Sequence, residues 1–573
     1  MSLGFALDTT LRGLMSTSSR ISLVSQNITN ANKPGYTRKE ATENYVTTNV
    51  GTVPVRTNVV GSTDRYLTLG VVGDIGEKGY SEALTELLDY YAAQLGTTDG
   101  STTMSGYLNS MYGAFQQLAA SPETQANQTE VVQIAVNLAD SIRNLSEDVQ
   151  ELRLQAEMKI ADQVTSVNSM LDRIYSINSK IIPGETNNAQ IAEFEDQRML
   201  ALEELAEIMD IQYYFTSQNQ LQIFTSAGMP LLQSEPKHLS YEATTQVNAH
   251  STFQPITLNG VDITSSLRQG SLAGNIALRD TIFPEEQAKL DEFATVLKDQ
   301  MNALLNKGSS LPPLSSLTGT LRGLTPATTL SATGTFRVAV ANNSGVLQNY
   351  ADINLAGITT VGDLLTALNA IPNVSASLDV NGSLTVSSTL AGSGIALNEM
   401  NSSVGPDAKG ASFFFGLQDM FTGDEAAFIG VNSSLRNSPN SLATGALSSG
   451  VIAPGDAVLN RGDGSTSLAM AQVLKENVPF DAAGNFSAQN STLSRYMEAI
   501  IANGATRASL AKTQYETSNA IYSESKEALN NKTGINIDEE TAKMLELQNH
   551  YEASARMIST IRDMYQALLN AVG

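Results

Sequence analysis

Ser523 and Lys526 stand at the Ser-x-x-Lys spacing that puts a hydroxyl one helical turn from an amine, as in serine acylases. The pair falls inside a run that reads as helix, so the spacing is read as structural. Glu193, Glu195 and Asp196 gather three carboxylates, the raw material of general acid–base work. They too fall on a helical run and read as a solvated face. Arg461-Gly462-Asp463 spells an adhesion tripeptide and reads as a loop. Cysteine is absent, which excludes disulfide frameworks, thiolate metal sites and cysteine nucleophiles. Three histidines (His238, His250, His550) cannot build a histidine-rich metal centre, and His550 reads as a residue flanking an interface. No phosphate-binding loop, dinucleotide fingerprint or His-Glu-x-x-His run is present. The chemistry-bearing residues therefore point to a non-enzymatic chain with no cofactor and no metal.

The elements that carry these residues say more. At the N-terminus Leu7, Leu11, Leu14, Ile21 and Ile28 recur four and three apart, with Ser18 and Ser25 in the same register, a heptad seam. Pro34 and Gly35 predict that this helix stops near Asn32. At the C-terminus the seam is Met544, Leu547, Tyr551, Ser554, Ile558, Ile561, Tyr565, Leu568 and Val572. Asp538 is the expected N-cap of that helix, and Gly534 the expected C-cap of the helix before it. A helix with one apolar face is marginal alone in water. The two ends must therefore pack on each other or on other subunits, and they are expected to be labile in the free monomer.

Between the ends the text is mixed. Tyr45 to Val72 reads as β, rich in Thr and Val. From Thr129 to Ile182 an apolar register passes through Leu138, Ile142, Leu145, Val149, Leu152, Ala156, Ile160, Val164, Val167, Leu171 and Ile174. A continuous helix there would be about 80 Å long, which suits a rod more than a compact enzyme. Residues 211–265 read as short strands, and 283–306 and 493–531 as helices. Residues 326–419 read as a separate module. There Asn381-Gly382 between alternating runs signals a hairpin, and Gly362–Ile371 a short helix. The fold class is α+β multidomain: terminal coiled-coil helices (1–45 plus 535–573), a long-helix core domain with β-hairpins (46–325 plus 420–534), and an inserted β-rich outer module (326–419).

The chain has 573 residues with 34 basic and 58 acidic side chains, a formal charge of −24. Such a surface repels phosphate backbones and argues against nucleic acid as a partner. No stretch approaches the roughly 18 apolar residues of a membrane span, and the first residues lack the pattern of a cleaved signal peptide.

Ser25–Glu40 reads SQNITNANKPGYTRKE, an Asn-rich helix end running into Asn-x-Pro-Gly-Tyr. This resembles the N-terminal motif of the flagellar rod, hook and hook-associated axial proteins. The residues that carry it are Asn30, Asn32, Pro34, Gly35, Tyr36, Thr37 and Arg38. Pro34–Arg38 is most similar to the hook-associated proteins of the hook–filament junction. Arg268–Asp280, Arg461–Val473 and Thr533–Asn570 are similar to the corresponding segments of that family. Lys33 departs from it, in a place where Thr is commoner.

The resemblance implies an inner layer of paired terminal helices around an export channel, with Leu7, Leu11, Leu14, Ile21 and Ile28 against Met544, Leu547, Tyr551, Ile558, Ile561, Tyr565 and Leu568. It implies a turn at Pro34 that directs the chain outward. It also implies export by the flagellar type III apparatus without a cleaved signal, and an extracellular place at the hook–filament junction. The implied partners are further copies of the chain in a ring, hook protein, the second junction protein, and an export chaperone at the C-terminal helix. Other axial components, hook protein or flagellin, are the alternatives. A secreted adhesin or enzyme with axial-type ends is another, and would need a concave polar site in 326–419.

Overall fold

The structure is a computed structural model, and it describes residues 3–48, 51–96, 103–181 and 188–572. The N-terminal helix α1 spans Leu3–Asn30. Two antiparallel strands follow, β1 (Lys39–Thr48) and β2 (Gly51–Gly61), in register from Lys39↔Gly61 with one irregularity at Asn44/Tyr45. The expected β run through Val72 is corrected here: helix α2 spans Arg65–Leu95. The Asp64 side chain accepts hydrogen bonds from the backbones of Tyr66 and Leu67, a cap that starts the helix. The β-branched pair Val71 and Val72 is carried into the interior by tertiary packing, which outweighs its strand preference.

Helix α3 (Met104–Ala120) leads into α4 (Gln125–Ile181), 57 residues long. Every position of the long apolar register is buried. The reason is that α4 threads two cores. Its first half, to Ala156, packs with α3, the later helices and Phe283 and Phe293. Its second half, from Ile160, packs with α5 (Asn188–Ile208) and the three-stranded sheet of β3 (Ile211–Phe215), β4 (Leu221–Thr225) and β5 (Pro230–Leu232). α6 (Gly270–Ala277) and α7 (Phe283–Leu305) are separated by a π turn at Leu278–Ile282. That turn aims Arg279 inward onto Glu157 of α4, an ion pair at 2.7 Å with neither side chain more than 2 % exposed.

A third core lies in the inserted module. It holds α8 (Val361–Asn369) against strands 335–342, 374–378, 384–388 and 393–398. The hairpin forms, with Leu378 opposite Leu384. Its loop is held by Asp379, which accepts from the backbones of Asn381 and Ser383, and Gly382 sits at φ +74°. Val380 is in that loop, fully exposed, and so not part of the alternation. The module's packing reaches beyond 326: strand 316–318 pairs with 384–388, and Leu317 and Leu324 join the core. Leu447, Ile452, Val458 and Leu459 cover its other face.

After the short helices α9 (Ala411–Phe415), α10 (Ser433–Asn437) and α11 (Ser465–Val473), α12 (Leu493–Thr533) returns antiparallel along α2. Ser81 meets Ser518 at 2.6 Å, and Glu77 accepts from Gln514 at 2.8 Å. The C-terminal helix α13 spans Ile537–Val572. Its cap is Asn536, whose side chain accepts from the backbones of Asp538 and Glu539, so the expected cap at Asp538 is corrected. Gly534 keeps negative φ and is not a left-handed C-cap; its amide bonds Asn530 O at 2.7 Å.

Candidate assembly interface

α1 and α13 lie side by side and antiparallel. Thr10 Oγ1 is 3.5 Å from Met557 Sδ, and Asn27 Nδ2 donates to Glu540 Oε2 at 3.0 Å. Of the expected seam, Leu547 and Ile561 are buried, and Leu7, Leu14, Ile21, Ile28, Met544, Ile558 and Tyr565 are half-buried. Leu11, Tyr551 and Leu568 are exposed, at 46, 41 and 59 %. Met15, Leu545, Met557, Met564 and Leu569 are exposed with them. The helix pair thus covers one side of each helix within the chain and leaves a second apolar side open.

The most buried residues of α1 are Leu23, Val24 and Asn27; Val24 and Asn27 stand one position before the seam residues Ser25 and Ile28, and Leu23 two before Ser25. At this end α1 packs against β1 and β2 as well as against α13, so its inward face rotates.

Asn27 organises the base of the pair. Its amide bonds both backbone groups of Lys39, N–H at 3.1 Å and C=O at 3.0 Å, while also donating to Glu540. The other oxygen of Glu540 accepts from Arg38 Nε at 2.8 Å, and Arg38 N donates to Thr533 O at 2.7 Å. Glu540 and Asn27 are each 1 % exposed. Next to them the buried Lys39 ammonium is held by Asp196, Thr37 Oγ1 and Ala192 O. Thr37 donates to Asp196 through both its amide and its hydroxyl. Burial pushes the Asp196 carboxyl upward, against the pull of Lys39. Tyr36 OH donates to Asn27 Oδ1 at 3.3 Å, and burial with the nearby carboxylates raises its phenol to about 12.

The turn itself needs its residue types. Gly35 sits at φ +72°, left-handed backbone that favours glycine, and Pro34 precedes it. Lys33 N bonds Asn30 O at 2.9 Å and Tyr36 N bonds Lys33 O at 3.2 Å; the Asn30 side chain caps back to Gln26 O. Asn32, Pro34 and Gly35 are exposed. The motif is a lock joining α1, α5 and α13, made by Thr37 and Arg38 together with four residues that sequence reasoning did not assign to it: Asn27, Lys39, Asp196 and Glu540. The available signal was a buried-position asparagine beside the seam and a carboxylate cluster on α5.

The carboxylates first weighed for acid–base chemistry are all engaged in structure. Asp196 holds Lys39, Glu193 pairs Lys33 at 3.6 Å, and Glu195 accepts from Asn219. Ser523 Oγ bonds Asn519 O, and Lys526 pairs Glu203, so neither serves the other. Asp463 of the Arg-Gly-Asp loop accepts from the Ala446 and Ser465 backbones. His550 is an exposed neighbour of Glu546. Among the described residues there is no group of His, Asp or Glu arranged to hold a metal, and no helix is long and apolar enough to cross a membrane.

Terminal helices paired by such a lock and joined to a long-helix body are the architecture of a structural chain, and the comparisons with known proteins agree in kind. The family model described as "Flagellar hook-associated protein FlgK helical domain" matches residues 94–314. The model described as "Flagellar basal body rod FlgEFG protein C-terminal" matches 528–571. Flagellar hook-associated protein 1 of Salmonella typhimurium (strain LT2) is 20 % identical over 583 residues, covering 98 % of each chain. That of Bacillus subtilis (strain 168) is 25 % identical over 219 residues, 36 % of this chain and 43 % of the relative. The fold is similar to that of the flagellar hook junction protein FlgK from Burkholderia pseudomallei, with a TM-score of 0.50 at 15 % identity, over 80 % of this chain and 98 % of that one. The chain is thus similar to flagellar hook-associated protein 1 over nearly its whole length.

Proposed function

We infer that the chain is a structural component of the bacterial flagellum that joins hook to filament. The observation that carries this is the second, open apolar side of the α1–α13 pair. Exposed Leu11, Met15, Leu545, Tyr551, Met557, Met564, Leu568 and Leu569 are costly on a solitary molecule and are accounted for when neighbouring copies cover them. The chain works without catalysis: its contacts are its activity. It is exported by the flagellar type III apparatus, assembles at the distal hook end as a ring-like homo-oligomer, and contacts hook protein on one side and the second junction protein on the other. An export chaperone covers the open face of α13 before export. The module around 326–419 lies on the outer surface.

The relatives are hook-associated proteins rather than hook protein or flagellin, which disfavours those alternatives. The test is electron microscopy of a strain lacking the gene. Hooks without filaments, with flagellin shed into the medium, are expected. Normal filaments overturn the reading.

A further inference from the structure

Away from the terminal pair, a cleft of about 950 Å³ opens at the root of the β1–β2 hairpin. One wall is β3: all five of its residues, Ile211 to Phe215, line the space. Among the described residues β3 pairs with β4 alone, so its far edge presents unpaired backbone groups. The opposite wall is the end of β2 and the start of α2, with Val60 and Leu69 exposed at 47 and 59 %. An open, partly apolar strand edge of this kind is the receptor half of a strand-addition contact.

The cleft also carries positive charge. The guanidinium of Arg65 lies 5.7 Å from the centre of the Phe215 ring and that of Arg198 5.0 Å from it. Arg198 is 2 % exposed, and its Nε is buried with no acceptor. Glu195, the carboxylate of the lining, is bonded to Asn219. The local balance is positive in a chain of net charge −24. Its complement is an extended, acidic strand.

The same chain offers such a strand. Among the described residues β1 and β2 form a two-stranded sheet with no third strand, an arrangement marginal in water by itself. β1 carries Glu40 and Glu43, and beyond Lys39 it has no basic residue. We propose that β1 of one copy adds to the free edge of β3 in the neighbouring copy, with Glu40 toward Arg65. Donor and acceptor are different surfaces of one chain. The contact is therefore heterologous and propagates from copy to copy, closing as a ring or continuing as a helix according to the rotation it imposes. The inference rests on the proposed assembly in the flagellar axis and locates one contact of it outside the terminal helices.

The chain has no cysteine, so introduced thiols report alone. Glu40→Cys, Thr42→Cys and Asn44→Cys are each combined with Tyr214→Cys, and isolated flagella are oxidised. A ladder of disulfide-linked multimers on a non-reducing gel is expected from at least one pair. None is expected from the single variants or from Thr42→Cys with Val451→Cys in the distant 445–460 loop. Arg65→Glu is expected to lower the ladder about fivefold at equal incorporation, the effect of one partly exposed charge pair. Incorporation without a ladder from any pair overturns the contact and leaves the junction role standing. Absence of the chain from flagella overturns the junction role instead. If the thiols block export, a labelled synthetic peptide of residues 39–61 is titrated onto the full-length chain by anisotropy. Saturable binding weakened by Arg65→Glu supports the contact, and no binding to the unsubstituted chain overturns it.

Discussion

Asn27 and Glu540 are 513 residues apart in the chain and share a 3.0 Å hydrogen bond with almost no exposure to water. One side chain near each terminus therefore closes the molecule on itself, and through Lys39 the same asparagine holds the outgoing turn. Both ends must be present for the lock to form.

Asn27→Leu removes the partner of three buried groups, the Lys39 amide and carbonyl and one Glu540 oxygen. Buried unpaired polar groups cost about 1–3 kcal/mol each. Hydrogen exchange is expected to rise sharply in α1 and the first turns of α13 while α4 stays protected. Unchanged exchange at the termini would refute the lock.

Asp196→Ala strands the Lys39 ammonium, whose side chain is 4 % exposed. Breaking a buried pair from one side costs about 3–5 kcal/mol. The double variant Lys39→Met with Asp196→Leu removes both charges and is expected to be closer to the unsubstituted chain in denaturant midpoint than Asp196→Ala. A double variant as damaged as the single one would mean that Lys39 matters for more than its charge.

Ile561→Asp and Leu569→Asp separate the two sides of α13. Ile561 is buried within the chain and Leu569 is 69 % exposed. The first is expected to loosen the α1–α13 pair in the monomer and to abolish junction assembly. The second is expected to leave the monomer's circular dichroism melt unchanged and still abolish filament formation. Normal motility in Leu569→Asp would mean the open face is not covered by neighbours.

Asp419 sits at the base of the inserted module, accepting from Asn306 at 2.7 Å and Thr320 at 2.6 Å. Burial raises its carboxyl to about 6, with Lys298 pulling down and Asp299 pushing up. In this group the native state holds the proton more tightly than the unfolded chain. Its contribution is therefore fully present at low pH and is lost as pH rises from about 4 through about 6, by about 3 kcal/mol. Asp419→Asn is expected to flatten that part of the stability–pH curve, measured by urea unfolding between pH 4 and 7.5. An unaltered curve would place the proton elsewhere.

Periodicity made the long elements legible. The α4 register was readable in full because a helix threading two cores is apolar along one face from end to end. The stop at Pro34-Gly35 was readable because proline and glycine restrict the backbone locally, whatever surrounds them. Val71 and Val72 misread as strand because local preference is weaker than the burial they gain between helices. Gly534 does cap α12, though with extended rather than left-handed backbone, whereas the α13 cap lies two residues before Asp538 because Asn536 and Asp538 compete there and only the final chain path chooses between them.

What the sequence determined by itself was the set of apolar faces and stops, and hence an α+β chain with a one-faced apolar helix at each end that must be covered by the other end or by another subunit. Which side of each terminal helix turns inward was decided only in three dimensions. Asn27 and Lys39 stand near each other in the chain, but Asp196 and Glu540 lie far from them, and nothing in the spacing couples the four. Buried polar groups must find partners wherever folding brings them, and the packing of α1 against β1, β2 and α13 turns Val24 and Asn27 inward while Leu11, Tyr551 and Leu568 stay exposed.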